Sequence, residues 1–170
     1  HGSTKLILGL VFLSPLFLLF ALKMLSNQRM KEIFLTWFFR NENIEYFDSR
    51  CKTFTEEVKG ITRPLAMSKL EEYKKDGNII SVVSASPINW VKPWCDQYNI
   101  KCIATKLEIK EGRLTGKIVG NNCYGKEKVR RIKEHFTLES FNEIHAYGDS
   151  KGDKEMLAIA SIKFYKPFLP

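Results

Sequence analysis

The chain has 170 residues, 44% of them hydrophobic, and a formal net charge of +8 from 27 Lys and Arg against 19 Asp and Glu. That length allows one substantial core with a small accessory domain, and the charge suits anionic partners: phosphorylated metabolites, an anionic membrane surface or nucleic acid. The basic residues are scattered, and no zinc-finger, RNP or helix-turn-helix pattern accompanies them, so nucleic acid is set aside as a partner.

Residues 6–22 are apolar apart from Ser14, with Pro15 in the middle and Lys5 and Lys23 at the edges. Lys23, Asn27 and Arg29 follow where a signal peptide would place a small-residue cleavage site. Three readings stand: a transmembrane or re-entrant hairpin, a helix pair lying on a membrane surface, or a buried hairpin of a helical accessory domain. Seventeen residues is the lower limit for a helical span, and Pro15 favours two short helices over one straight rod. Residues 29–39 predict a helix with Met30, Ile33, Phe34, Trp37 and Phe38 as its apolar stripe. A second helix spans about 44–58, with Ile44, Phe47, Cys51 and Phe54 on one side. A third begins at Pro64, carries Ala66, Leu70 and Tyr73 inward, and closes at Lys74, Lys75 and Gly77.

Residues 1–62 thus read as all-helical, and the α/β part as 63–170. Ile79 to Val83 is a β-branched run suited to a central parallel strand. Ser84-Ala85-Ser86-Pro87 ends it, with Ser86 a candidate N-cap for a helix bearing Ile88, Val91, Trp94 and Cys95. Ser84 or Ser86 would stand beside the first amides of that helix, a ready anion site. Ile100 to Ala104 is a further strand. Lys106 to Val119 alternates around Glu111-Gly112 as a β-hairpin, with Leu107, Ile109, Leu114 and Ile118 on its buried face. A basic helix runs from Lys126 to about His135, and its early lysines, Lys126 and Lys128, are candidates for a phosphate. The four cysteines have no CxxC or zinc spacing, which points to a reducing compartment.

Residues 143–157 carry the strongest chemical signal. Ile144 to Tyr147 reads as a buried strand that Gly148 breaks, and Asp149 and Asp153 follow. Met156, Leu157 and Ala160 then have helical spacing, which puts Asp153 at an N-cap position. Carboxylates at the carboxyl end of a strand suit Mg²⁺, which binds one or two carboxylates plus substrate phosphate. Ile162 to Tyr165 is a last strand. The element order is that of a doubly wound, Rossmann-like α/β domain with a parallel sheet. Ser84, Lys126 with Lys128, and Asp149 with Asp153 all fall at strand ends or helix starts. Together they are the parts of a Mg²⁺-assisted phosphoryl-transfer site.

Ser84-Ala-Ser-Pro, Gly125-Lys-Glu-Lys-Val and Gly148-Asp-Ser-Lys-Gly-Asp resemble the second, third and fourth motifs of the haloacid dehalogenase (HAD) superfamily. The likeness is greatest to its subfamily IB, which includes phosphoserine phosphatases and phosphatidylglycerophosphatase C, and residues 1–62 resemble that subfamily's helical cap. The resemblance implies that Ser84 and Ala85 bind the transferring phosphoryl group. It implies that Lys128, preferred over Lys126, pairs with that group, that Asp149 ligates Mg²⁺, and that Asp153 ligates the metal or orients its water. The first motif, an Asp-x-Asp-x-Thr bearing the nucleophile and the acid-base group, does not occur here and is expected upstream of His1. The expected activity of the parent protein is phosphomonoester hydrolysis through a phospho-aspartyl intermediate, with this chain alone inactive. The substrate is a lipid phosphate, with membrane contact through residues 6–22, or a small phosphomonoester such as phosphoserine. A cytoplasmic location follows, with membrane association open. The competing reading is a membrane-associated phosphate-binding module without turnover.

Overall fold

The computed structural model describes residues 2–168. In chain order its elements are α1 (Gly2–Ala21), α2 (Asn27–Phe39), α3 (Ile44–Lys59), α4 (Pro64–Lys75), β1 (Ser81–Pro87), α5 (Ile88–Gln97), β2 (Lys101–Thr105), β3 (Leu107–Lys110), β4 (Arg113–Ile118), α6 (Lys126–His135), β5 (His145–Gly148), α7 (Lys154–Ala158) and β6 (Ile162–Tyr165). Single 3-10 turns occupy Leu138–Ser140 and Lys151–Asp153. Two compact units result: His1–Ser49 with Lys106–Asn122, and Arg50–Thr105 with Cys123–Pro170. The division is interleaved, and does not fall at a single cut near residue 62, because the β3–β4 hairpin goes with the N-terminal helices.

In the first unit α1 runs unbroken through Pro15, contrary to the expected pair of short helices. Proline removes the amide that the Val11 carbonyl would accept, and the Ser14 hydroxyl donates to that carbonyl instead at 2.7 Å. The side chains of Lys5 and Leu6 lie outside the described residues. Among the described residues no helix is long and apolar enough to cross a membrane. Gly9 lets α1 approach α2 closely: a Cβ there would lie 2.6 Å from both Phe38 Cζ and Trp37 Nε1. Helix α2 starts where the Ser26 hydroxyl accepts from the Arg29 amide at 3.1 Å, a normal N-cap. It buries Leu35, which the predicted stripe omitted, and leaves Trp37 partly exposed. The reason is a second packing face, where β4 meets α2 at Gly116. A Cβ on Gly116 would sit 2.4 Å from Thr36 Cα.

The hairpin turns at Glu111 and Gly112, both with positive φ, as a two-residue turn of the tightest kind requires. Leu107, Leu114 and Ile118 are buried as expected, but Ile109 is exposed. The register shifts between Leu107 and Ile109, which breaks the alternation on which that expectation rests. Helix α3 also departs in detail. Its inward line is Phe47, Cys51 and Thr55, spaced four apart, while Phe54 is exposed. The Thr55 hydroxyl is satisfied by the Cys51 carbonyl at 3.0 Å, so burying it carries little penalty.

In the second unit β1 pairs with β2 in parallel, Ser81 with Lys101 through Ser84 with Ala104, and β5 pairs with β6 in parallel, His145 with Ile162 through Gly148 with Tyr165. The parallel strands therefore form two separate pairs rather than one continuous sheet. Strand β1 does not end at Ser84: it continues to Pro87 with a register shift after Ser84. Pro87, not Ser86, holds the N-cap position of α5, and no side chain caps that helix. Ile103, Cys123 and Ile132 form one core, with Val83, Phe136, Leu138, Met156 and Ile159 packed around them. Ala146, Leu157 and Ala160 form another with Ile144. All four cysteines are free thiols.

Candidate active site

The site is built in the second unit, where the Val83–Ala85 stretch of β1 meets the loop before α6 and the loop after β5. Gly148 closes β5, and a Cβ on it would lie 2.5 Å from Asp153 Cβ, so glycine is what admits Asp153 to the strand end. Asp153 is buried. It occupies the N-cap position of α7 but makes no capping bond there. Its carboxylate turns back instead. Oδ2 accepts from the Ser150 hydroxyl at 2.6 Å and the Ser150 amide at 3.0 Å, closing a capping box around the 3-10 turn. The Asp149 amide lies at 3.3 Å from the same oxygen.

Asp153 Oδ1 accepts from Lys128 Nζ at 2.6 Å, and the same ammonium donates to the Val83 carbonyl at 2.6 Å. Both side chains of this ion pair are 8% exposed. Burial alone would raise the Asp153 carboxyl, yet the bonds from Lys128 and Ser150 and the lysine's charge hold it below the ordinary carboxylate value. Val83 immediately precedes Ser84, so the pair fixes a cation against the middle of β1, next to Ser84.

Gly125 positions the lysine. It precedes α6 with φ 59° and ψ −128°, a conformation all but reserved for glycine. Its amide donates to the Gly152 carbonyl at 3.0 Å, which ties the loop before α6 to the loop after β5. One helical turn on, Arg131 Nε donates to Glu127 Oε1 at 2.8 Å and Arg131 Nη1 to the Ala104 carbonyl at 2.6 Å. The Thr105 hydroxyl donates to the Ala85 carbonyl at 2.8 Å and accepts from the Cys123 amide at 3.0 Å. Both ends of the Ser84–Ala85 step are thereby held.

Of the residues singled out from sequence, Lys128 and Asp153 meet directly, and Ser84 is next in the chain to the carbonyl that the lysine binds. The half-buried Ser84 hydroxyl accepts from the Ser86 amide at 3.1 Å within β1, and Ser86 does not cap a helix. Lys126 is exposed on α6, and it is Lys128 that reaches Asp153. Asp149 is exposed, and no side chain among the described residues bonds its carboxylate. Sequence reasoning missed Ser150, although Ser150-x-x-Asp153 has capping-box spacing. It also missed Glu127–Arg131, an i,i+4 pair, and Thr105, for which no local signal exists.

Among the described residues no three His, Cys, Asp or Glu side chains gather as a ready metal cage. Mg²⁺ does not need one, since it takes one or two carboxylates and fills its shell with water and phosphate oxygens. The exposed Asp149 carboxylate fits that use, whereas both oxygens of Asp153 are already engaged.

The sequence matches the haloacid dehalogenase-like hydrolases over residues 2–158. The chain belongs to this family. The protein CicA of Caulobacter vibrioides (strain NA1000 / CB15N) is 32% identical over 146 residues, which cover 84% of this HAD-like chain and 65% of CicA. A histidinol-phosphatase of Neisseria meningitidis serogroup C is 27% identical over 105 residues, 58% of this chain and 47% of that protein. The chain thus spans less than two thirds of the length of these relatives. A protein from Bordetella pertussis Tohama I has the same fold at TM-score 0.75 and 19% identity, over 88% of this chain and 70% of that one. A probable phosphoserine phosphatase from Vibrio cholerae matches at TM-score 0.69 and 15% identity, over 90% and 46%. These two likenesses show a shared fold alone.

Proposed function

We propose that this chain forms the greater part of a Mg²⁺-dependent phosphomonoester hydrolase of the HAD family. The observation that carries the reading is the buried Lys128 ammonium, pinned between the Val83 carbonyl and Asp153, whose other oxygen lies 3.3 Å from the amide of the exposed Asp149. A cation fixed in this way stabilises the charge on a transferring phosphoryl group without reorganising during the reaction. Ser84, with the Ala85 backbone, would bind the equatorial oxygens. Asp149 would hold Mg²⁺, whose role when bound is to neutralise phosphoryl charge. Asp153 would act through Lys128 and Ser150 as a positioning residue.

The nucleophilic carboxylate would come from a strand upstream of His1 and form the phospho-aspartyl intermediate. The pairing of strands supports this placement. Among the described residues β1 pairs only with β2 and β5 only with β6, so each keeps an edge that a further parallel strand can take. The likeness to a histidinol-phosphatase favours a small phosphomonoester, and phosphoserine belongs to that class. The apolar start of the chain favours a lipid phosphate.

The test is release of inorganic phosphate, with and without Mg²⁺, from phosphorylated metabolites and one lysolipid phosphate. This chain is compared with a version extended upstream. Mg²⁺-dependent turnover by the extended form alone is the expected result, and the preferred substrate assigns the class. Turnover by neither form replaces the hydrolase with a phosphate-binding module, and turnover by this chain alone removes the upstream nucleophile.

A further inference from the structure

Helix α1 is apolar on both of its faces. Gly9, Leu13 and Leu16 follow helical spacing along the side that meets α2, and Gly9 and Leu13 are buried. Ile7, Val11, Ser14 and Leu18 run along the opposite side, turned through about half a circle by the 3.6-residue period. Ile7, Val11 and Leu18 are 61%, 63% and 63% exposed. Thr4 stands at the start of that outward line, and the Ser14 hydroxyl farther along it donates back to the Val11 carbonyl and so has no further proton to offer water. A helix that faces bulk water normally carries charged side chains there, and along this line the described residues of α1 carry none, only the hydroxyls of Thr4 and Ser14.

The surroundings of this helix are basic. From His1 to Glu32, the first acid in the chain, every charged residue is a lysine or an arginine. A cleft of about 450 Å³ beside α1 has Leu13, Ile33 and Trp37 in its walls, with Arg29, Arg40 and Lys117 around them. Glu32 also lines it, but its contact with Arg29 is long, at 3.9 Å. Apolar surface bordered by cations matches the layering of a bilayer whose headgroups are anionic, where buried apolar area and attraction to lipid phosphates add together. A second copy of this chain would instead bring two +8 molecules together at their basic clefts.

We propose that α1 lies in the interface of an anionic lipid bilayer, its Ile7–Val11–Leu18 face among the acyl chains, with Arg29, Arg40 and Lys117 on headgroup phosphates. The helix lies on the membrane and does not cross it. This surface is independent of the catalytic reading, because membrane binding is measured without turnover and failure of one leaves the other standing.

The experiment is co-sedimentation of the full chain with vesicles of phosphatidylcholine alone and with vesicles containing phosphatidylglycerol. The chain is expected to pellet with the anionic vesicles, less so at high salt. Val11→Glu with Leu18→Glu should release it at least tenfold, with an unchanged thermal melt showing that the fold is intact. Arg29→Gln, Arg40→Gln and Lys117→Gln should weaken binding to anionic vesicles roughly fivefold for each charge removed, and leave any residual binding to neutral ones unaltered. Equal binding to both vesicle types by all variants overturns the proposal. So does an absence of vesicle binding together with a dimer, seen by equilibrium sedimentation, that Val11→Glu dissociates.

Discussion

At the end of β5, Asp153 carries a full charge out of water and every oxygen it offers is taken, by Lys128 on one side and Ser150 on the other. Along α1, Ile7, Val11 and Leu18 carry apolar surface into solvent, more than half exposed among the described residues. The first region is self-sufficient, because the low dielectric that strengthens the ion pair makes any unpaired member expensive. The second is incomplete by the same reasoning, since contiguous exposed apolar surface on a folded unit marks a contact still to be made. Stability and binding therefore reside in different places, and substitutions should separate them.

The largest expected effect breaks the first region. Asp153→Ala leaves the Lys128 charge buried and unpaired and should lower unfolding stability by about 3–5 kcal/mol in a denaturant titration. The double variant Asp153→Leu with Lys128→Met should recover most of that loss, since an apolar pair of similar size carries no orphan charge. If the double variant is as unstable as the single one, the pair is not an isolated unit. Next in size is Gly116→Ala in the first unit. It meets the Thr36 backbone at 2.4 Å and needs a φ of 83° that alanine resists. A loss of more than about 2 kcal/mol is expected, read from the same titration.

A smaller effect comes from pH. The folded-state carboxyl of Asp153 lies below its unfolded value, so its contribution is fully present above about pH 4 and is lost as pH falls through the folded value. Stability measured from pH 6 downward should fall below pH 4, and Asp153→Asn should flatten that slope. A slope unchanged by the substitution would assign acid lability to other carboxylates.

How much of this was legible in the sequence depends on range. The strands β2, β5 and β6, the Glu111-Gly112 turn and the α6 span rest on neighbours within a few residues, and periodicity and turn chemistry show them, whereas the pairing of the strands joins residues about twenty apart. Lys128 stood out over Lys126 on motif spacing, and the structure brings it to Asp153. Other features depend on contacts far along the chain. The hairpin joins the N-terminal helices because Gly116 nests on Thr36, a pairing of residues 80 apart that no local pattern announces. Thr105 is fixed by Ala85 across the parallel strands. Pro15 misled for a different reason. The expected break assumed an orphaned carbonyl, and the neighbouring Ser14 hydroxyl fills that vacancy.

The smallest expected effect on stability is the sharpest test of function. Asp149 and Asp153 are four residues apart and chemically identical, yet Asp149 is exposed with no side chain on its carboxylate while Asp153 is buried and bonded. Asp149→Asn removes one charge, keeps the shape, and should change unfolding stability by no more than about 0.5 kcal/mol. In the upstream-extended protein the same change should abolish Mg²⁺-dependent phosphate release, because an amide is a far poorer ligand for a hard cation than a carboxylate. A carboxylate kept at a strand end without a structural partner then has its reason in the ligand. If turnover persists unchanged, Asp149 is ordinary surface and is removed from the site.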